Sequence, residues 1–255
     1  MISEKFTHTR TTKVKIMRTK TLILSGLLAA LSGASAMAQV YSLNAVGYIN
    51  VDVPPGFSII ADQLYLTNQQ TAQSFDAVFG PTLLNGGATT PDPYVNCIIY
   101  PYTTAFLGVL IVEQVPGGAP FWSSATEAKG TSFNPGQACF IYNPGADFTM
   151  TFVGQVPQGS VTNTLQQGFN LISSIIPQTG ALDTDLGLVP GVNDIAYTYV
   201  SGIGYNPVNI YESTGGPGFW SAPHGASPTN TVGLGFFYYS ASATPNNWVR
   251  TFTIN

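Results

Sequence analysis

The string Ile210-Tyr-Glu-Ser-Thr-Gly-Gly-Pro-Gly-Phe-Trp220 has a near copy, Ile111-Val-Glu-Gln-Val-Pro-Gly-Gly-Ala-Pro-Phe-Trp122, about a hundred residues earlier. Each copy runs an apolar strand into a Glu, turns on a Gly-Gly pair and re-enters structure with Phe-Trp. Other landmarks keep the same order. Gly56-Phe-Ser-Ile-Ile60 is answered by Gly168-Phe-Asn-Leu-Ile172, and Val95-Asn-Cys-Ile-Ile-Tyr-Pro-Tyr102 by Val192-Asn-Asp-Ile-Ala-Tyr-Thr-Tyr199. Gly136-Gln-Ala-Cys-Phe-Ile-Tyr142 is answered by Gly233-Leu-Gly-Phe-Phe-Tyr-Tyr239, and Thr151-Phe152 by Thr251-Phe252, with Trp248 standing where Phe148 stood. Such a chain reads as one unit built twice. The expected boundaries are a first β repeat over 39–156 and a second over 157–255, with no low-complexity spacer between them.

The first 38 residues differ from the rest. Lys13, Lys15, Arg18 and Lys20 precede an apolar run from Leu22 to Leu31, and Ala36-Met37-Ala38 offers a small-residue cleavage site before Gln39. That pattern is a secretory signal peptide over 1–38, and Met17 would begin a more compact leader. No later segment is long and apolar enough to span a bilayer as a helix. The expected location is therefore outside the cell, at its surface or in the periplasm.

Removing the leader changes the electrostatics. Lys129 and Arg250 remain against eleven Asp and Glu, a net charge of −9. A nucleic-acid partner needs many Lys and Arg against phosphates, so that class is excluded. The remaining 217 residues are rich in Gly, Pro, Thr, Ser, Asn and aromatics, and are long enough for one or two cores. Cys97 and Cys139 both follow the leader, and in an oxidising compartment they are a candidate disulfide; two buried free thiols are the alternative.

Short alternating strands with turn signals every ten or so residues predict an all-β fold: two tandem β-sandwich or small-barrel units, each with one short helix. In the first unit the helix is expected over Thr71–Phe79, ended by Gly80-Pro81, and Leu83–Pro93 reads as a surface loop missing from the second unit. Through its Val46-Gly-Tyr-Ile-Asn-Val51 opening, its Gly-Phe-x-Leu/Ile-Ile and Gly-x-x-x-Phe-x-Tyr strands and its Thr-Phe-Val-Gly-x-Val strand, the chain resembles uncharacterised secreted, internally duplicated β-rich proteins of planctomycete and verrucomicrobial environmental bacteria. The resemblance covers residues 40–255. It implies export and a duplicated β unit, and it carries over no functional residue.

Few residues offer chemistry. Glu113 and Glu212, each shortly before a Trp, are the best enzymatic candidates, because glycoside hydrolysis uses two carboxylates and sugars stack on indole. The structural alternative has each Glu tethering its glycine turn while Phe-Trp anchors the core. Asp183 and Asp185 are candidate calcium ligands, although the full loop pattern is missing and Asp183 equally suits a helix cap, as does Asp76. His224 is the one His after the leader and has no Gly-x-Ser-x-Gly elbow or ligand cluster to serve.

With so few charges to guard sheet edges, strands such as Leu107–Glu113 and Trp248–Ile254 are open to pairing with another copy. The expected function is that of an exported, non-enzymatic structural or adhesion protein of the cell envelope or matrix, self-associating or bound to other matrix components, with no cofactor beyond calcium. A carbohydrate-binding module using Tyr100, Tyr102, Trp122, Tyr197, Tyr199 and Trp220 is the alternative, and a small outer-membrane barrel is the third. Burial of the two Trp side chains decides whether the doubled motif is a scaffold or a contact surface.

Overall fold

Strands whose apolar residues alternate must bury one face, and here the two longest, 46–53 and 148–155, pair with each other across about a hundred residues of chain. The computed structural model describes residues 45–66, 72–86, 92–221 and 225–253. The expected leader over 1–38, His224, Ile254 and the middle of the Leu83–Pro93 loop lie outside the described residues. In chain order the first half holds β1 (Val46–Val53), β2 (Gly56–Ile60), α1 (Phe75–Leu83), β3 (Ile98–Tyr100), β4 (Leu110–Glu113), β5 (Phe121–Trp122), α2 (Ala125–Gly130), β6 (Cys139–Asn143) and β7 (Phe148–Gln155). The second holds β8 (Gly159–Leu165), β9 (Gly168–Ile172), β10 (Gly180–Ala181), β11 (Ile195–Tyr197), β12 (Tyr199–Val200), β13 (Gly204–Tyr205), β14 (Asn209–Glu212), β15 (Phe219–Trp220), β16 (Thr229–Asn230), β17 (Phe236–Ser240) and β18 (Asn246–Phe252). The fold is all-β.

Two five-stranded sheets carry the architecture, ordered β2-β6-β3-β4-β5 and β9-β17-β11-β14-β15. Their strands correspond one to one, with β2 to β6 running from Gly56↔Asn143 to Ile60↔Cys139 and β9 to β17 from Gly168↔Ser240 to Ile172↔Phe236. Asn96 and Asn193 turn the chain into β3 and β11 with φ of 68° and 71°, a left-handed conformation that Asn tolerates better than most residues. Each half closes with its own antiparallel ribbon, β1 with β7 and β8 with β18. Within those ribbons Met150 lies opposite Val51 and Trp248 opposite Asn163. Trp248 therefore fills the place of Met150 rather than that of Phe148, and both are fully buried.

Separate cores fill the halves. In the first, β1 and β7 lay Ile49, Val51, Met150 and Phe152 over Ile99, Leu110, Cys139 and Ile141 of the sheet, with Phe75 and Phe79 of α1 and Phe133 completing the layer. Trp220, Phe236, Tyr238 and Trp248 dominate the second. Helix α1 begins at Ser74, whose hydroxyl accepts from the Ala77 amide, and continues through Gly80 and Pro81 to Leu83, beyond the expected stop. Pro81 falls in the last turn, where the lost donor leaves only one carbonyl without its helical partner. Among the described residues both helices belong to the first half; residues 182–186, where the second half was expected to have one, form a turn closed by the Asp185 and Leu186 amides on the Ala181 carbonyl.

The halves join through a reciprocal exchange of strand ends. The Ala61 amide donates to the Gly233 carbonyl and the Gly235 amide to the Ile59 carbonyl; the Ser173 amide donates to the Gly136 carbonyl and the Ala138 amide to the Leu171 carbonyl. Ile60 thus bridges to Leu234, and Ile172 to Gln137. Gln63, fully buried, clips the seam by accepting from the Gly233 amide at 2.8 Å while donating to the Ser174 carbonyl at 2.8 Å. The inner ends of β2 and β9 are consequently covered. Strand β4 is interior to its sheet, so the expected open edge at Leu107–Glu113 does not exist over Leu110–Glu113, whereas β18 keeps one free side. No sheet among the described residues closes on itself, and the longest strands have eight residues, short of the ~9–11 a membrane-spanning strand needs.

Two tests follow from the seam and its surroundings. A Cβ on Gly235 would come within 2.3 Å of the Ala138 Cβ and 3.1 Å of the Ile172 carbonyl, so Gly235→Ala is expected to destabilise the protein by ~1–3 kcal/mol in urea denaturation. Asp62 is fully buried, accepting from the Leu64 amide at 2.9 Å and the Gln73 amide nitrogen at 3.0 Å. Burial pushes its carboxyl up to about 7 from 3.8, against the lowering effect of those two bonds. Between these values the folded state holds the proton more tightly, so Asp62 contributes stability at low pH that is lost as pH rises through about 7. Unfolding free energy, and with it the melting temperature, is expected to fall from pH 5 to pH 7 by at most about 1.4 kcal/mol per pH unit and to level off above, and the Asp62→Asn variant to lose that part of the slope.

Candidate functional site

Alternation along β6 and β17 creates the candidate site. Cys139, Ile141 and Asn143 of β6, and Phe236, Tyr238 and Ser240 of β17, point into the cores; Phe140, Tyr142, Phe237 and Tyr239 therefore emerge on the opposite face. Phe57 and Phe169, each following a left-handed glycine, lie beside them across the ladder, opposite Tyr142 and Tyr239.

The resulting aromatic face spans both halves. Phe57 meets Tyr142 at 4.9 Å and Tyr100 at 5.8 Å between ring centroids; Phe169 meets Tyr239 at 5.1 Å and Tyr197 at 5.8 Å. Across the seam Tyr102 packs on Phe237 at 5.3 Å and Tyr199 on Phe140 at 5.5 Å, both edge to face, and Phe140 lies 6.1 Å from Phe237. Phe106 touches Tyr102, Phe140 and Phe237, and Tyr205 touches Tyr199. Twelve rings thus form one network with quadrupole-favoured tilted and T-shaped contacts. Beneath it Ile59, Ala61, Ala138 and Leu171 make an apolar cluster shared by the halves.

The β3–β4 and β11–β14 connections hold this face together by reaching across the seam. The Tyr102 hydroxyl donates to the Phe169 carbonyl at 3.2 Å, and the Gly202 amide to the Phe57 carbonyl at 2.8 Å. Two grooves open between the rings, one of about 550 Å³ along Phe57, Tyr100 and Phe140 and one of about 480 Å³ along Tyr102, Phe169 and Tyr197, with Phe106 and Tyr205 lining both. Those two side chains are each 52 % exposed. Burial pushes the hydroxyls of Tyr102, Tyr199 and Tyr205 above their ordinary value, so they stay protonated.

The expected residues separate into two groups. Tyr100, Tyr102, Tyr197 and Tyr199 come together on the aromatic face. Trp122 and Trp220 do not: they are 3 % and 1 % exposed, in the two cores, and present no ring to a sugar. Their indole N–H groups are bound at 2.9 Å by the carboxylates of Asp76 and Asp183, respectively. Asp76 and Asp183 are thus matched indole acceptors rather than helix caps, a role that calls for one buried acceptor per buried indole. Asp185 accepts from the Ala181 amide at 2.9 Å.

Glu113 and Glu212 stand on different sheets, opposite Phe121 and Phe219. They do not tether the glycine turns. Gln114 does so in the first half, its amide donating to the Gly118 carbonyl at 2.9 Å, and Ser213 in the second, its hydroxyl donating to the Gly216 carbonyl at 3.0 Å.

Cys97 and Cys139 are free and buried. Tyr142 lies opposite Ile98 and Phe140 opposite Tyr100, so the two cysteines sit at opposite ends of the β3–β6 ladder, about four residues or ~13 Å apart along the strands. A disulfide needs Cα atoms within ~7 Å. The Cys97 thiol donates to Asn143 at 3.9 Å, and burial, with Asp92 nearby, pushes it up to about 12. At the matching place in the second half Asp194 accepts from the Tyr238 hydroxyl and from the Gly191 and Ala241 amides.

Sequence reading missed Phe57, Phe106, Phe140, Tyr142, Phe169, Tyr205, Phe237 and Tyr239. The alternation Cys-Phe-Ile-Tyr-Asn against Phe-Phe-Tyr-Tyr-Ser was its signal, since one set of every second residue must leave the core. Comparison with known proteins adds no relative: no family model matches the chain, and neither a curated protein nor a solved structure does.

The thiol geometry is directly measurable. Neither cysteine is expected to react with an aromatic disulfide reagent in the native protein, two thiols are expected to react in guanidinium, and dithiothreitol is expected to leave the melting temperature unchanged. A native bridge would instead give no thiol in guanidinium.

Proposed function

We propose that this chain is an exported, non-enzymatic adhesion or structural protein of the cell envelope or extracellular matrix, built from two copies of one β unit, whose contact surface is the aromatic face. The carrying observation is the network of twelve rings joined across both halves, with Phe106 and Tyr205 half-exposed at its centre. Contiguous apolar surface of this kind marks interaction sites on soluble proteins. The signal-peptide pattern and the net charge of −9 after Ala38 support export.

The partner this reading favours is a second copy of the chain. Because corresponding residues of the two halves face each other across the seam, the face is close to self-complementary, which suits an isologous contact. Neither groove is lined by a charged side chain, so two such faces meet without burying an unpaired charge. Carbohydrate binding on the same face is the second reading, favoured by the half-exposed Tyr100, Tyr102, Tyr197 and Tyr199, whose rings offer flat apolar platforms with hydroxyls at the edge.

Light scattering and sedimentation of the mature protein distinguish these. Concentration-dependent dimers are expected, weakened at least tenfold by Phe106→Ser combined with Tyr205→Ser. A strict monomer at high concentration, with and without calcium, would remove self-association. Retention on an insoluble polysaccharide that the double variant abolishes would then favour the glycan reading.

A further inference from the structure

A second concavity, chemically unlike the aromatic grooves, lies between the halves. It has a volume of about 730 Å³ and is bounded on one side by the β1–β7 ribbon, through Asn50, Asp52 and Thr149, and on the other by the β11–β14 connection, through Thr198, Tyr199 and Asn206. Its size falls within the range of small-molecule sites, which concentrate at such interfaces. Nine of its nineteen lining residues carry uncharged amide or hydroxyl side chains, and no Lys, Arg or His lines it.

The walls are already ordered. Thr149 donates its hydroxyl to Asp52 at 3.0 Å, so one carboxylate oxygen is held and the other is left to accept. Asn206 donates to the Thr198 hydroxyl oxygen at 3.0 Å, which leaves that hydroxyl's proton to donate and the Asn206 carbonyl to accept. Thr229 and Thr231 add further hydroxyls, and Val51, Leu234 and Phe236 supply apolar floor. Tyr199 belongs both to this cleft and to the larger aromatic groove, standing as the wall between them.

We propose that this inter-half cleft binds a neutral oligosaccharide, with sugar hydroxyls bonded by Asp52, Thr198 and Asn206 and a sugar ring resting on Tyr199. The chemistry selects this class. Sugars present adjacent donors and acceptors, and a carboxylate accepts from hydroxyls with the added strength of a charge-assisted bond. Phosphorylated, sulfated or carboxylated ligands would meet Asp52 and Asp147 with no cation to offset them. The acids belong to this cleft rather than to the shared plan, since Thr164 occupies in the β8–β18 ribbon the place of Asp52. The proposal takes its ligand class from the second reading above but not its location, so the aromatic face and the cleft fail independently.

The test is amide NMR titration of the mature protein with neutral hexasaccharides of glucose in β-1,4, β-1,3 and α-1,4 linkage, and of xylose, mannose and N-acetylglucosamine. At least one is expected to shift the Asp52, Thr198 and Asn206 signals. Asp52→Asn and Asn206→Ala are each expected to weaken that binding at least tenfold, while Phe106→Ser combined with Tyr205→Ser leaves those shifts in place. Shifts confined to Phe106, Phe169 and their neighbours would overturn the cleft and support the face. No shift with any hexasaccharide would overturn the proposal, as would a response at Asp52 to spermine or calcium alone.

Discussion

The reciprocal exchange of strand ends at the seam is the constraint on which the rest of the structure depends. Four backbone hydrogen bonds, from Ala61, Gly235, Ser173 and Ala138, tie the inner end of each sheet to the other half. Without them β2 and β9 would each expose a row of unpaired amides and carbonyls, in a chain with one Lys and one Arg after residue 38 to guard such edges. The exchange also demands close backbone approach. Gly235 meets Ala138 with no room for a side chain, and Gly233, at φ 79°, lies against Val51 and Ile49. The buried amide of Gln63 completes the seam, so the apolar cluster of Ile59, Ala61, Ala138 and Leu171 forms between surfaces whose polar groups are already paired.

The same exchange places the two outward sheet faces side by side. Each half alone would carry a row of aromatic rings; joined, Phe140 and Phe237 meet across the seam and the two rows become one surface. The connections that carry Tyr102 and Tyr199 then lean over the opposite half, and the bonds from the Tyr102 hydroxyl and the Gly202 amide to the Phe169 and Phe57 carbonyls hold the rings at grooves instead of leaving them on free loops. Tyr199 is the point at which this apolar surface gives way to the polar cleft behind it. Both aromatic grooves and the polar cleft are lined by residues of the two halves together.

One difference between the halves is compensated within the core of the second. Asn143 organises the turn after β6 by bonding the Gly145 amide and the Ala146 carbonyl. In the second half Asp194, in the position of Cys97, serves the turn after β17 through the Ala241 amide and takes the Tyr238 hydroxyl as well. Tyr238 stands where Ile141 stands in the first half, so the added hydroxyl and the added carboxylate arrive together. The Tyr238 hydroxyl and the Asp194 carboxylate satisfy each other, as burial in an apolar interior requires.

Much of this was legible in the amino-acid sequence. Period-two alternation and frequent turns identify an all-β chain, and the paired strings, Gly-Phe-x-x-Ile, Val-Asn-x-Ile and Ile-x-Glu before Phe-Trp, occupy matching places in two sheets of the same strand order. Alternation says that two faces exist but not which is buried, because Phe140 and Tyr142 are as apolar as the Cys139 and Ile141 between them. Spacing likewise could not show that Asp76 and Asp183 serve the two indoles, 46 and 37 residues away in the chain, or that Cys97 and Cys139 stand at opposite ends of one ladder. Those facts depend on contacts between segments distant in sequence, set by register and by the seam. The sequence by itself determined the all-β character of the chain; the tertiary structure alone decided that the tryptophans and Tyr238 are core while Tyr100, Tyr102, Tyr197 and Tyr199 reach the surface.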